Sequence, residues 1–305
     1  MGGSGGGYRR SVAWQRTGLE TSLRQTRQRE REIAVTEVID EALRNINQVD
    51  TEALNRHKQT ILEALNDQFD GVYDLRGGGS YTRRTYVNGL SDVDVLLDLG
   101  EYTAADFPNK DDPQALLKEM EARLRRRLPF TDIRAGKMAV TVSFSDGSEI
   151  QVLPAFREGQ GYRIPDPHGD GWTVTRPREF LRLLTERSRR IGGGLRRCIK
   201  LAKLICGSQG VDVRSYHLEN MALKAFEQYA GPKTMPAMLR HFFSQAKVLA
   251  LTPMPDVTGQ ETHVDRYLGT TAARQRLARQ LRQIEHAIST AEDDPDTWRS
   301  LLYGE

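Results

Sequence analysis

Cysteine is nearly absent: Cys198 and Cys206 are the only two in 305 residues. They fall within one helical pattern, so they form neither a disulfide framework nor a zinc-ligand set, and they fit a reducing cytosol. No run approaches the roughly 18 apolar residues that a membrane span requires, and no signal peptide is visible. Charge of one sign is lacking too. With 44 basic and 41 acidic residues the net charge is only +3. A dedicated duplex-nucleic-acid binder carries a stronger basic excess, although an average hides local clustering. Internal repeats are missing, and low complexity is confined to Met1 through Gly7, which reads as a flexible linker. What remains, 38% hydrophobic and 28% charged, is the composition of a globular protein with one large or two modest domains.

Apolar spacing predicts a long amphipathic helix over 11–47, with Ile33, Val35, Val38, Ile39, Ala42 and Leu43 on one stripe. The basic-acidic run from Arg24 to Arg31 reads as its solvated face. A second helix is expected over 51–68, then loop and turn over 71–79, a strand over 93–99 and a helix over 113–128. Three strand-like runs follow at 130–134, 139–144 and 149–155, the last two joined by the hairpin signal Asp146-Gly147. Residues 159–171 are rich in Gly, Pro and Asp and read as loop. Beyond Pro177 the pattern is helical, with expected spans 178–190, 195–206, 215–229, 235–248 and 271–291. The fold class is therefore α+β, a small sheet spanned by an N-terminal helix and closed by a C-terminal helical domain.

The chemistry concentrates in two short segments. Asp92 and Asp94 flank Val93, and carboxylates two apart on a strand share one face. Such a pair suits Mg²⁺, a hard cation that takes oxygen ligands and shares them with substrate phosphates. Upstream, Gly79-Ser80 offers backbone N–H groups and a hydroxyl for gripping a triphosphate. Two metals about 4 Å apart can activate an attacking hydroxyl and stabilise the leaving oxygen of a phosphoryl displacement.

Gly79-Ser80-Tyr81-Thr82-Arg83-Arg84-Thr85 with Asp92-Val93-Asp94 resembles the polymerase-β-like nucleotidyltransferases. Within them the chain is most similar to bacterial CD-NTases, relatives of cyclic GMP–AMP synthase and oligoadenylate synthetase. Val152-Leu153-Pro154-Ala155-Phe156 looks like the family's third catalytic strand, and Ser215-Tyr216-His217-Leu218-Glu219 like its S-[FY]-x-L-E helix. The resemblance implies a polymerase-β-like core with a small mixed or antiparallel sheet and a long N-terminal spine helix. It implies a catalytic core with the N-terminal helix over 11–170 and a helical domain over 171–305, while residues 1–10 read from composition as a flexible glycine-rich leader. By the same resemblance Asp92 and Asp94 hold Mg²⁺, or Mn²⁺ in its place. Gly79 and Ser80 hold phosphates, Lys203 is a phosphate-binding cation with Lys200 as its alternative, and Ser215 contacts phosphate or base, an N-cap role fitting it equally. The substrates implied are nucleoside triphosphates, and the product is a cyclic or linear oligonucleotide that activates an effector protein in anti-phage defence.

One position departs from that pattern. Where the family's third strand carries an aspartate, this chain has Gln151. Glutamine can ligate through a neutral carbonyl oxygen, but it neither offsets metal charge nor accepts a proton. Three readings compete: a natural site of two acids plus Gln151, substitution by Glu149 from about 6–7 Å along the same strand face, or a pseudoenzyme that binds nucleotides or a partner without joining them. A transferase acting on an RNA or protein hydroxyl is a further alternative.

Overall fold

The computed structural model describes residues 6–48, 50–66, 74–88, 90, 93–100, 111–168, 171–260, 262–291 and 293–304. Two helices open the chain, α1 (Gly6–Ile46) and α2 (Thr51–Asn66), followed by β1 (Asp74–Gly77), the short α3 (Gly79–Arg83) and β2 (Val93–Asp98). Next come α4 (Pro113–Arg127), β3 (Asp132–Ala135), β4 (Val140–Ser143), β5 (Glu149–Glu158), β6 (Gly161–Pro165) and β7 (Trp172–Thr175). Six further helices complete it: α5 (Pro177–Arg190), α6 (Leu195–Ser208), α7 (Ser215–Ala225), α8 (Met235–Leu249), α9 (Thr271–Ala291) and α10 (Pro295–Tyr303), with a 3₁₀ turn at Arg266–Leu268.

The sheet is mixed. Its order is β1-β2-β5-β4-β3, with β6 and β7 continuing from the far end of β5. The β2–β5 pair is parallel and the other pairs are antiparallel. Alternation along the two central strands creates two faces. Val93, Val95, Leu97, Ile150 and Val152 pack with α2 and α4 residues such as Ile61, Leu65, Leu116 and Met120. Leu96, Leu153 and Ala155 point the other way and cluster with Tyr162 and Ile164. Pro154 lies between the stretch of β5 paired with β4 and the stretch paired with β6, where a missing N–H costs the sheet least.

Helix starts follow local chemistry. Asp112 caps α4 by accepting from the N–H groups of Gln114 and Ala115, and Asp294 accepts from Thr297 at α10; a proline opens each helix. Gly192, Gly193 and Gly194 all have positive φ, and this left-handed run reverses the chain between α5 and α6.

Four expectations change. α1 begins at Gly6, so part of the expected leader is helical; Met1 to Gly5 lie outside the described residues. Its apolar stripe from Val35 to Ile46 packs in the helical cluster with α6 and α10 residues, not on the sheet, and Ile33 is exposed. The sheet also runs past the expected boundary at 170 to Thr175, because β6 forms within the stretch that reads as loop and β7 follows directly after it. Gly161 is there for closeness: a Cβ on it would lie 2.4 Å from the Thr175 carbonyl oxygen. Finally, β1 arises within the expected turn at 71–79, too short to show alternation.

His217 ties α7 to the 3₁₀ turn. It is fully buried, its Nδ1 lies 3.0 Å from the Tyr267 hydroxyl, and its Nε2 has no partner. Burial, reinforced by Arg274 and opposed by Asp265, lowers its pKa to about 4. The unfolded chain therefore takes up a proton near pH 6.5 that the folded chain refuses until about pH 4. Stability should fall by about 2–4 kcal/mol as pH drops through that window. Urea unfolding at pH 7 and pH 4.5 measures it, and His217→Leu should remove that part of the loss.

Candidate active site

Asp94 and Gln151 are register partners in the parallel β2–β5 ladder, and Thr141 of β4 lies opposite Gln151 on the other side. Because Val93, Val95, Ile150 and Val152 are buried in the sheet–helix core, alternation turns Asp94 and Gln151 onto the opposite face. The expected third-strand position is thus beside the second acid. Asp92 and Ser91 lie outside the described residues.

Gly79 completes this corner. Its φ is +52°, and a Cβ there would lie 1.7 Å from Asp94 Oδ2. The Asp94 carboxylate therefore rests directly on the backbone that starts α3, and the Gly78 N–H donates to the Asp94 carbonyl at 3.0 Å. Only glycine allows both the left-handed conformation and the approach. Ser80 is buried, and its carbonyl accepts from the Thr85 N–H at 2.9 Å. Arg84, also at positive φ, ends α3 and turns the chain back toward Thr85.

Beneath this corner lies a buried charge cluster centred on Glu219. Its Oε1 accepts from Lys203 Nζ at 2.7 Å and from the Thr85 hydroxyl at 2.6 Å. Its Oε2 is 2.5 Å from Arg83 Nε, an ion pair in which the N–H is not aligned on the oxygen. Lys203 also donates to the Thr85 carbonyl at 3.0 Å. Burial alone would raise the Glu219 pKa, but Arg83 and Lys203 outweigh it and hold the carboxyl below its ordinary range. Burial draws the Lys203 ammonium down, against the pull of Glu219. Arg83 is further held between rings, with its guanidinium carbon 5.2 Å from the Phe180 centroid and 5.4 Å from that of Tyr216.

Three of the expected site residues have other partners in the structure. Lys203 braces α3 from below through Glu219 and Thr85, and it lies near enough to Asp94 to feel its charge. Lys200 donates to Asn47 Oδ1, at the end of α1. Ser215 is the first residue of α7, whose N-cap is Arg214, so the hydroxyl is not a cap. It lines a separate cavity of about 120 Å³ with Lys203 and Cys206. Spacing placed these residues on the right helices; which way a helix turns its lysine depends on packing that sequence does not display. Glu149 shares the face of Gln151, but its carboxylate accepts from Ser143 at 2.8 Å on the exposed end of β5. Arg83, which the sequence shows only as part of the Gly-Ser segment, lines the cleft at its Asp94 end.

The cleft, about 310 Å³, opens over this corner. Gly78, Gly79, Arg83 and Asp94 form one end; Leu96, Leu153 and Ile164 form an apolar floor. The helical half contributes Tyr216, whose hydroxyl donates to Asp256 at 2.7 Å, and the loop that returns toward the 3₁₀ turn. Apolar floor, one aromatic ring and a few placed polar groups are the make-up of a small-molecule site. Among the described residues no cluster of three His, Cys, Asp or Glu side chains could hold a metal. The donor chemistry nevertheless fits a hard divalent cation, since Asp94 and Gln151 offer oxygen only.

Residues 34–188 match the Second Messenger Oligonucleotide or Dinucleotide Synthetase (SMODS) domain. A cyclic AMP-AMP-AMP synthase from an Acinetobacter species is 30% identical over 134 residues, spanning 41% of this chain and 37% of that protein. The match thus takes in little more than a third of that curated relative's length. Among solved structures, CdnC of E. coli MS115-1 with ATP aligns over 88% of this chain and 97% of its own, with TM-score 0.69 and 17% identity. CdnG of Bradyrhizobium diazoefficiens, a CD-NTase in complex with GTP, aligns over 88% and 94% with TM-score 0.67 and 14% identity. DncV of Vibrio cholerae in its apo form aligns over 90% and 80%, with TM-score 0.60 and 12% identity. At these identities the structural likeness is one of fold.

Three variants test the corner and its brace. Gly79→Ala should abolish any nucleotide-dependent activity while the far-UV circular dichroism spectrum stays native, because strain and clash fall on Asp94 alone. Glu219→Gln should cost about 3–5 kcal/mol in urea unfolding, since two buried cations lose their counter-charge. Lys203→Met should cost less, because Arg83 and Thr85 still satisfy Glu219, and its effect should appear in stability before it appears in nucleotide affinity.

Proposed function

The chain belongs to the Second Messenger Oligonucleotide or Dinucleotide Synthetase family, the bacterial CD-NTases, whose members are nucleotidyltransferases, and on that premise we infer that it joins nucleoside triphosphates into a cyclic or linear oligonucleotide signal with release of pyrophosphate. One observation carries the reading to this chain's own residues. Asp94 and Gln151 stand side by side on the cleft face of the sheet, with the Asp94 carboxylate resting on Gly79.

In this reading Asp92, Asp94 and Gln151 would hold Mg²⁺ or Mn²⁺, which when bound supplies charge for the attacking and leaving oxygens. The chain's own residues do the rest. The backbone at Gly78 and Gly79 receives the phosphates of the donor nucleotide, and Arg83 supplies the neighbouring positive charge. The apolar floor of Leu96, Leu153 and Ile164 shields the reacting groups from water, and Tyr216 offers a ring for a base. A hydroxyl oxygen forms the new bond to the α-phosphorus, the bond from that phosphorus to the bridging oxygen breaks, and pyrophosphate leaves.

Gln151 supports a second reading, a nucleotide- or partner-binding pseudoenzyme, because an amide lowers the negative charge facing the metal. Glu149 is poorly placed to compensate, being engaged by Ser143. Activation of a downstream effector and a role in anti-phage defence rest on the family resemblance. No helix among the described residues is long and apolar enough to cross a membrane.

The test is product analysis. Purified protein incubated with Mg²⁺ or Mn²⁺ and mixed ribo- and deoxynucleoside triphosphates should release pyrophosphate and yield an oligonucleotide detectable by mass spectrometry. Asp94→Ala should reduce the rate by about 10²–10³-fold, the scale of losing one preorganised electrostatic group. Gln151→Asp separates the two readings: strong activation marks an impaired site, whereas lost activity marks one adapted to glutamine.

A further inference from the structure

We propose that α1 carries a second apolar face, and that this face pairs with the same face of another copy of this chain in an antiparallel, two-fold symmetric helix pair.

Two apolar faces lie on opposite sides of the helix. Val35, Val38, Ile39, Ala42, Leu43 and Ile46 are buried in the helical cluster and define the inward side. Ile33 precedes Val35 by two residues, which puts it about 160° away around the helix axis. It is 58% exposed. Leu23, 53% exposed, lies on the side of Ile33, and by position on the helix Val12 and Leu19 continue the same line. Val12, Leu19, Thr26 and Ile33 recur every seven residues, the spacing of a helix–helix seam. With Leu23 they fall in a band about 80° wide that runs for about 30 Å.

The body leaves this band open. Gln28 and Glu32, on the inward side, line a cavity with Arg240 of α8 and Ile288 of α9. From Thr21 to Ile33 every residue is exposed. Helices in proteins draw most of their stability from packing an amphipathic face, and this stretch buries none of its residues within its own chain.

Charge identifies the occupant. Beside the band, Arg9, Arg16 and Arg27 come first along the helix, and Glu30, Glu37 and Glu41 follow. A parallel pair of copies would set like charges together. An antiparallel pair sets the arginines of each copy against the glutamates of the other, with the apolar bands meeting between them. The surface is thus complementary to itself, as an isologous two-fold interface requires. Four apolar side chains per copy, set against the cost of association, give a modest affinity in the micromolar range.

Sedimentation velocity of the full chain from about 1 to about 100 µM tests the pairing. Wild type should pass from monomer to dimer across that range. The double variant Leu23→Glu, Ile33→Glu should stay monomeric throughout. Its near-UV circular dichroism should match wild type, because both side chains are exposed. Cross-linking reads the orientation. Cys198 and Cys206 are buried and burial pushes both thiols up, so an added exposed cysteine is the reactive one. A short bismaleimide should join Val12→Cys to Ile33→Cys when the two variants are mixed, and should join neither variant to itself. The proposal is overturned if wild type remains monomeric at every concentration, or if the double variant dimerises as well as wild type. It is also overturned if Ile33→Cys cross-links chiefly to itself. None of these readouts involves nucleotide turnover, so the pairing and the synthesis reading fail or survive separately.

Discussion

A single buried carboxylate ties the Gly79–Asp94 corner to the helical half of the molecule. Glu219 belongs to α7, yet it gathers Lys203 from α6 and both Arg83 and Thr85 from the segment that carries Gly79 and Ser80. The turn that begins at Gly79 is short, five helical residues closed by an arginine in the left-handed region. The helical half reaches under it with a buried anion and a buried cation. Buried ion pairs are weak sources of net stability, because desolvation offsets most of their attraction. Their worth here is positional: no hydrophobic replacement would hold the Thr85 carbonyl and hydroxyl and the Arg83 side chain in one arrangement.

The second constraint is the register of β2 against β5. A parallel pair offset by one residue would turn Gln151 into the core and Ile150 into the cleft, a change that the buried apolar set forbids. The same alternation that fills the sheet–helix core therefore also sets the two oxygen donors side by side, and it lays Leu96 and Leu153 beyond them as a floor. Fold and site share one periodicity. Gly79 is the point where they meet, since its missing side chain is the space that the Asp94 carboxylate occupies.

Much of this was legible in the sequence, and the gaps have physical causes. The helices beyond Pro177 announce themselves by apolar spacing, and the β4–β5 hairpin by Asp146-Gly147, because each signal is local. β1 and β6 were missed because they are short and flanked by glycines, one of which exists to let two strands approach closely. The Gly79–Asp94–Gln151 corner could be located from spacing and resemblance. Lys203 and Lys200 could not be oriented, because a helix shows its periodicity but not its partners, and the partners of Lys203 lie 16 and 118 positions away. The setting of Arg83 is hidden for the same reason, since the two rings and the buried glutamate that hold it come from distant elements.

The charges of the cleft have an order that follows from what it would hold. At one end a carboxylate, a neutral amide oxygen and a glycine backbone suit a hard cation together with the phosphates it accompanies. A carboxylate in place of Gln151 would bind that cation more tightly, but it would also repel the phosphates arriving with it. The amide shifts this balance toward the phosphates, and Arg83 shifts it further. At the other end His168, Arg214 and Arg266 line the cleft together with Asp166, whose carboxylate lies 3.3 Å from Arg266. Between them the floor is apolar, and with little water present each end acts at longer range than it would in solvent. A site arranged in this way suits a flat, uncharged body laid over the floor with its phosphates at the Gly79 end.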